Sequence, residues 1–414
     1  MESKSAICII FPFSFLESTP NITNIIEACR AAGIHVDVYT HLDPNYAKPE
    51  FGSGINCFFF NNSEKNLKIF LQLVNSIKFW SLGFHFPGWG ILQRMMFRIS
   101  FWLDNLYLDL LFYRQMRKYP YSYIVGVDAK GMILASKFAM KLNIPLIYDN
   151  IELMLSYDWS KQYQEIKKKE IAASHQAKYV IIQDPERALA LLQDNNLSIS
   201  KFIYIQSGPT GPTDPKRTNY WKEKFSLPDH VKIVLHFGNM YWKGLEEIIA
   251  SVSQWPEDWI FVTHGWHGGE SKRRIENLSK MADPDRVFFS ANPVPRGEIQ
   301  KMVNGADIGI ALYFPTNQIN TWENTNIKFL GFSSGKIGYY LKGGLPVIIN
   351  KGPSIAQVIQ DYQSGEVISD ISEIPSAILK IHQQYQNYSQ NSLKMFEKEY
   401  DPRPGIEKLI ALLK

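Results

Sequence analysis

Residues 5–40 read SAICIIFPFSFLESTPNITNIIEACRAAGIHVDVYT. The apolar run at 5–11 is rich in branched residues and predicts a buried strand, and the Thr-Pro-Asn at 19–21 predicts the start of a helix that ends at Gly33. Apolar and polar residues alternate at 35–40, which predicts a second strand. A strand, a helix and a strand in this order form a βαβ unit, whose parallel strands must be covered on both faces.

The same alternation of strand and helix patterns continues through both halves of the chain. Further strands are predicted at 123–127, 144–148, 179–182, 202–205, 232–237, 259–262, 286–289, 307–311 and 345–349. Between the halves, residues 207–217 read SGPTGPTDPKR, a composition that is typical of a linker.

The sequence therefore predicts two doubly wound α/β domains. The first covers residues 1–206 and the second 218–395, and a terminal helix at 396–414 is expected to pack back on the first domain. Because ligands of open parallel sheets bind beyond the carboxyl ends of the strands, two such domains predict a cleft that is lined from both sides.

Composition narrows the class of protein. The 414 residues carry 44 Lys and Arg against 40 Asp and Glu, which is too balanced for a dedicated nucleic-acid binder. Apolar residues make up 45%, as expected for a globular chain. The three cysteines do not form a disulfide framework, which favours a cytoplasmic location. The sequence contains no run of 18 apolar residues, so no membrane-spanning helix is predicted.

The turn after the strand at 232–237 is a candidate phosphate site. Gly238 and Asn239 follow that strand, and Lys243 and Gly244 precede the next helix pattern. A Lys supplies a point charge and a helix N-terminus supplies free N–H groups, so the turn suits a diphosphate. A glycine turn beside a solvated Lys is also commonplace, and this alternative stays open.

Residues 331–348, GFSSGKIGYYLKGGLPVI, give a stronger signal. Lys336 lies in the first turn of a predicted helix, where the helix dipole disfavours a cation unless an anion is present. The pattern therefore predicts a phosphate at this position. The alternative is an ordinary capped helix whose Lys points into solvent.

This segment resembles the Pro-x-Lys-x-x-Glu-Tyr-Met-Ala-x-Gly-x-Pro-Val-Ile signature of GT-B glycosyltransferases, chiefly the family-four type and related bacterial galactofuranosyl- and glucosyltransferases. Lys336, Tyr340, Gly344 and Pro346 match that signature. The resemblance implies two Rossmann-like domains, a nucleotide-sugar donor on the second domain and a glycan or lipid-linked acceptor on the first. It also implies metal-independent hexosyl transfer in polysaccharide biosynthesis, with no cofactor.

The resemblance implies a set of donor-binding residues: Gly238, Asn239, Lys243, Gly244, His264, Asn292, Ser333, Ser334, Gly335, Lys336, Tyr339 and Tyr340. The family's Glu-x7-Glu pair is absent, since Gly331 and Tyr339 stand at those positions. Asn239 replaces the family's diphosphate-binding Arg. The sequence therefore leaves open whether the sugar configuration is retained or inverted, and whether the chain is catalytically active.

Two acids follow predicted strands of the first domain. Glu152 matches the Glu of the family's Val-Tyr-x-x-His-Glu segment, and Asp128 closes the preceding strand. A carboxylate at either position can take the proton of an acceptor hydroxyl or hydrogen-bond a sugar, and acids at strand ends also cap helices. The residues expected to contact the acceptor are Phe13, Ser14 and Asn150.

Residues 79–118 combine Trp and Phe with basic residues that include Arg94 and Arg98, which is typical of a helix in a membrane interface. The same leucines and aromatics are also compatible with an ordinary core. Two other functions stay open: a sugar-nucleotide epimerase of the same architecture, and a non-catalytic GT-B subunit that supports an active partner.

Overall fold

The computed structural model of the chain describes residues 5–41, 51–59, 113–114, 116–117, 119–158, 161–238, 244–265, 269–315 and 322–414. Within these residues the chain forms a seven-stranded and a six-stranded sheet. All strand pairs in both sheets are parallel. The prediction of two doubly wound domains is therefore confirmed.

The first sheet has the order β3-β2-β1-β4-β5-β6-β7. Its strands are β1 Ala6–Phe11, β2 His35–Thr40, β3 Ile55–Phe59, β4 Tyr123–Val127, β5 Leu146–Asp149, β6 Ala177–Ile182 and β7 Phe202–Tyr204. Its longer helices are α1 Pro20–Ala31, α2 Asp128–Leu142, α3 Lys161–Gln176 and α4 Pro185–Asn195. Successive β1 residues enter opposite cores, Cys8 one and Ile9 the other, because both faces of the sheet are covered.

The second sheet has the order β10-β9-β8-β11-β12-β13. Its strands are β8 Lys232–Phe237, β9 Trp259–His264, β10 Val287–Ser290, β11 Ile308–Ala311, β12 Val347–Asn350 and β13 Gly365–Ile368. Its helices are α5 Tyr220–Phe225, α6 Leu245–Ser251, α7 Gly269–Ser279, α8 Ile299–Val303, α9 Trp322–Lys328, α10 Gly335–Lys342, α11 Ile355–Tyr362, α12 Ile374–Gln383 and α13 Tyr385–Met395.

The chain passes between the domains twice. Residues 207–217 contain no helix or strand, and the Ser207 N–H donates to the Phe332 carbonyl at 2.8 Å. Phe396 and Tyr400 pack in the second core, after which helix α14, Arg403–Leu413, returns to the first sheet. There the Ser5 hydroxyl donates to the Leu413 carbonyl at 2.6 Å.

Two edge strands, β3 and β13, were not predicted from the sequence. Each pairs on one side only, β3 with β2 and β13 with β12, and each is only partly buried. The apolar runs that predicted the other strands arise from burial on both faces of the sheet, so two partly buried strands give a weaker pattern. Among the described residues, no helix is long and apolar enough to cross a membrane.

Each sheet reverses its direction of winding at one place, between β1 and β4 and between β8 and β11. At such a switch point the connections leave in opposite directions and open a crevice at the carboxyl ends of the strands. The structure therefore fixes two crevices, one on each domain, as the places where functional residues are expected.

Helix α10 packs closely on β11. A Cβ atom at Gly309 would lie 2.4 Å from the ring of Tyr340, whose hydroxyl donates to the Leu235 carbonyl of β8 at 2.8 Å. The ring is fully buried, so it has no room to withdraw without losing that bond.

We expect Gly309→Ala to lower the free energy of unfolding by about 1 to 3 kcal/mol, the range of an overpacked core. Urea denaturation followed by far-UV circular dichroism measures the change. Gly297→Ala is the matched control, because a Cβ there meets no atom within 4 Å. Equal stability of the two variants would show that Tyr340 does not constrain β11.

Candidate functional site

The second switch point brings together a glycine and a lysine that lie almost 100 positions apart. Gly238 follows β8 with a φ of +125°, and a Cβ there would lie 3.4 Å from Nζ of Lys336. Lys336 is the second residue of α10, and its Nζ stands 5.3 Å from the ring centre of Tyr313, just beyond β11. The ammonium thus lies at the crevice between β8 and β11.

The surroundings of Lys336 disfavour its charge. The Nζ atom is buried, and burial lowers the pKa of the ammonium to about 8. Ser334, the N-cap of α10, makes no side-chain capping bond, and its hydroxyl is 2.5 Å from that of Tyr313. A buried cation at a helix N-terminus is stabilised when an anion binds beside it.

The two adjacent tyrosines of α10 differ in their surroundings. Tyr340 is fully buried and bonds the backbone of β8, so its side chain serves the fold and has no surface left for a ligand. Tyr339 is 8% exposed, and its ring stands edge-on to Phe237 at 5.9 Å between centres. Of these two side chains, Tyr339 alone keeps a small exposed fraction.

Two histidines at the ends of β8 and β9 are held neutral. Nδ1 of His264 lies 2.9 Å from the Ser290 hydroxyl, and burial lowers the pKa of His264 to about 4. Burial also lowers the pKa of His236, and the charge of Lys336 lowers it further. At neutral pH both side chains therefore act as hydrogen-bonding groups without charge.

The remaining predicted donor residues are placed as follows. The Ser333 hydroxyl donates to the Leu330 carbonyl at 2.6 Å, and a Cβ at Gly335 would approach Pro20 of α1 to 3.6 Å. Gly244, with a φ of +96°, precedes α6, and Asn292 is exposed after the edge strand β10. Asn239, Lys243 and nearly all of the aromatic segment at 79–118 lie outside the described residues.

Asp128 shapes the first domain's half of the cleft. It follows β4 with a φ of +51°, and its Oδ1 accepts bonds from the N–H groups of Ile151 at 2.9 Å and Glu152 at 2.8 Å. It makes no capping bond to its own helix, whose N-cap is Val127. Burial, and then the charge of Glu152, raises the pKa of Asp128 to about 7. In this arrangement Asp128 orients the loop that carries Glu152.

Glu152 itself is exposed to solvent. The surrounding protein nevertheless desolvates it and raises the pKa of its carboxyl, while Arg187 lowers it. An exposed side chain in dense surroundings lies on a concave surface. Glu152 is therefore accessible to a ligand that enters this part of the cleft.

The backbone around Glu152 is held by side chains that the sequence analysis did not single out. The bonds are Arg187 Nη2 to the Ile151 carbonyl at 2.7 Å, Leu153 N to Asn326 Oδ1 at 2.8 Å, Asn326 Nδ2 to the Leu153 carbonyl at 2.9 Å and Lys167 Nζ to the Met154 carbonyl at 2.6 Å. Each joins residues at least 13 positions apart, which is too far for a local sequence pattern to predict the bond. The loop is thereby fixed before any ligand arrives.

The three predicted acceptor residues lie in different environments. Phe13 is partly buried, with its ring 5.3 Å from that of Phe11 and 5.2 Å from that of Phe15, and Ser14 is also partly exposed. Asn150 is fully buried and donates to the Tyr148 hydroxyl at 2.8 Å. Asn150 therefore belongs to the interior, whereas Phe13 and Ser14 retain accessible surface.

In the described parts of the chain, no group of three or more His, Cys, Asp or Glu side chains is arranged to hold a metal ion.

Two facing, doubly wound parallel sheets with a cleft between them define the GT-B fold, as the resemblance implied. Residues 298–399 match the family model described as Glucosyltransferase 3-like, C-terminal domain. No curated protein sequence matches the chain.

Solved structures share the fold over almost the whole chain. Sucrose-phosphate synthase from Thermosynechococcus elongatus is 16% identical, with a TM-score of 0.67 over 99% of this chain and 98% of that one. Anabaena HepE in complex with UDP-glucose is 14% identical, with a TM-score of 0.67 over 98% of each chain. WaaG, a glycosyltransferase involved in lipopolysaccharide biosynthesis, is 15% identical, with a TM-score of 0.59 over 99% of each chain.

A third acid, Asp149, lies in the interior behind the Glu152 loop. Asp149 ends β5 and is fully buried, and neither carboxyl oxygen has a hydrogen-bond partner among the described residues. Burial, and then the charge of Asp128, raises its pKa well above the ordinary value. The folded state therefore holds Asp149 as the neutral acid.

We expect Asp149→Asn to gain stability relative to the wild type as pH rises. The unfolded carboxyl has a pKa of about 3.9, so above that pH the wild type must take up a proton to fold, and its stability falls up to the folded pKa. The amide needs no proton. Urea unfolding from pH 5 to 8 measures the difference, and the exposed Asp285→Asn is the control. A constant difference across this range would contradict the neutral-acid assignment.

Proposed function

We propose that this protein is a metal-independent glycosyltransferase that moves a hexose from a nucleotide-sugar to a hydroxyl of a glycan or lipid-linked acceptor. The observation that carries the proposal is the buried ammonium of Lys336 at the start of α10, beside Gly238. The GT-B fold supports it, as do the similar structures that hold UDP or UDP-glucose. A uridine diphosphate hexose is therefore the first donor to test.

The chemistry assigns different tasks to the two domains. The acceptor oxygen attacks the anomeric carbon of the donor sugar as the bond from that carbon to the diphosphate oxygen breaks. The electron pair leaves with the diphosphate, whose growing charge is stabilised by Lys336 and the N–H groups at the N-terminus of α10. In an inverting reaction Glu152 takes the acceptor's proton.

The two rival functions make different predictions. An epimerase changes a nucleotide-sugar without any acceptor, so incubation with the donor alone separates it from a transferase by the appearance of an epimer. A non-catalytic subunit is encouraged by the missing carboxylate pair, but it gives no reason for a buried Lys beside a helix N-terminus. Nucleotide binding by the isolated chain favours the transferase.

The same proposal includes a location in the cell. We place the enzyme in the cytoplasm, peripheral to a membrane, acting in polysaccharide synthesis. The aromatic and basic residues at 79–118 support this placement by composition alone.

We expect Lys336→Ala to weaken the binding of UDP by about 1.5 to 3 kcal/mol, the contribution of a charge-assisted hydrogen bond. Isothermal titration at pH 7 measures it. Because the free ammonium has a pKa of about 8 and an anion raises it, wild-type binding at pH 8.5 takes up a proton, and the variant loses this uptake.

The exposed Lys301→Ala is the matched control and should bind like the wild type. Unchanged affinity of folded Lys336→Ala would remove Lys336 from the donor site.

We expect Glu152→Gln to reduce transfer by roughly 10²- to 10⁴-fold, the usual effect of a lost general base, while UDP affinity is retained. Initial rates with a UDP-hexose and an acceptor measure the first quantity, and titration measures the second. Glu165→Gln, an exposed change on α3, serves as the control. Transfer within a few-fold of the wild type would assign Glu152 to acceptor orientation.

A further inference from the structure

The start of α4 is bonded to the other domain through a carboxylate. Asp184 caps α4, with its Oδ1 accepting from the Arg187 N–H at 2.9 Å. Its Oδ2 accepts from the N–H of Phe332 in the second domain at 3.1 Å. A Cβ at Gly331 would lie 2.1 Å from that Oδ2. Asp184 thus fills the space in which a side chain at position 331 would begin.

Arg187, one turn further on, bonds both sides of the cleft. Its Nη2 donates to the Ile151 carbonyl at 2.7 Å, next to Glu152. Its Nη1 donates to the Phe329 carbonyl at 2.7 Å and approaches the Ser333 hydroxyl at 3.4 Å. Residues 329–333 lead directly into α10 and Lys336. One guanidinium therefore joins the loop of the acid to the segment before the cation.

Burial makes the positive charge of Arg187 energetically unfavourable. The side chain is fully buried, and burial lowers its pKa although four carboxylates stand near: Glu152, Asp184, Asp128 and Glu186. Its hydrogen bonds go to neutral acceptors. A buried charge costs several kcal/mol, and an apolar residue of similar volume often stabilises a fold better. Stability alone therefore does not account for an arginine at this position.

We propose that Arg187 is a positioning residue for sugar transfer, which holds the Glu152 loop and the segment before Lys336 in one fixed arrangement. This inference rests on the proposed function. The guanidinium suits the task because its planar fork donates in several fixed directions at once, which a lysine ammonium cannot reproduce.

Two substitutions of Arg187 distinguish its positioning role from the effect of its charge. We expect Arg187→Lys and Arg187→Gln each to lower kcat at least tenfold, with UDP affinity within twofold of the wild type. Arg187 lowers the pKa of Glu152, so the acid limb of the kcat profile should move to higher pH in Arg187→Gln and stay in place in Arg187→Lys. Wild-type kcat in folded Arg187→Lys would overturn the proposal.

Arg286→Lys is the matched control. Arg286 Nη2 also donates to several carbonyls, those of Trp255, Pro256 and Trp259, but all of them lie in the second domain. Its replacement should lower the melting temperature and leave kcat unchanged. A loss of kcat equal to that of Arg187→Lys would indicate general destabilisation instead of positioning.

A variant at another position tests the proposal even if the Arg187 variants do not fold. Asn326→Ala leaves Arg187 in place but removes the acceptor of its 3.1 Å bond and the paired bonds to Leu153. It should lower kcat in the same direction with UDP affinity retained. An unchanged kcat in this variant would contradict the proposal.

A distance measurement distinguishes this inference from the proposed function. Spin labels at Lys137→Cys and Lys301→Cys, both exposed, report the interdomain distance in a Cys57→Ser background. Arg187→Gln should broaden that distance distribution. If the wild type transfers no sugar, the proposed function fails, and the distribution still decides whether Arg187 fixes the two domains. An unbroadened distribution overturns the inference.

Discussion

Both sheets are parallel throughout the described residues, and this single constraint arranges the rest of the protein. A parallel strand pair needs a crossover that covers a face of the sheet, so the strands are buried on both sides and carry mostly apolar residues along their length. The polar groups of the cleft therefore lie at the ends of the strands. Gly238, Asp128 and the loop with Glu152 all follow the carboxyl end of a strand, where the switch points open the cleft.

Burying a charged group near the cleft costs free energy of desolvation, and hydrogen bonds within the fold offset this cost. Lys167 illustrates this, since its ammonium is within 2.9 Å of both Glu170 and Asp194 and donates to the backbone beside the Glu152 loop. Arg187 donates instead to the backbone carbonyls of Ile151 and Phe329, which carry no charge. Buried charges of this kind tend to mark function because stability does not select them.

The structure explains why the first residue of the Glu-x7-Glu pair is absent. Gly331 has a φ of +44° and faces the carboxylate of Asp184, so a side chain at that position would collide with the other domain. Tyr339 occupies the second position and packs against Phe237. Asp184 therefore occupies the space in which a side chain at position 331 would begin.

The sequence alone was sufficient to predict all strands except β3 and β13, the two doubly wound domains, and the position of Lys336 in the first turn of α10. These features depend on neighbours within a few residues, or on burial that leaves a regular apolar pattern. Tertiary structure alone decided the edge strands β3 and β13, the interior position of Tyr340 and Asn150, and the bond of Asp128 to the Glu152 loop. It also decided the contacts of Arg187 with residues 142 and 146 positions away, because such contacts follow from how the two domains meet and leave no periodic trace in the chain.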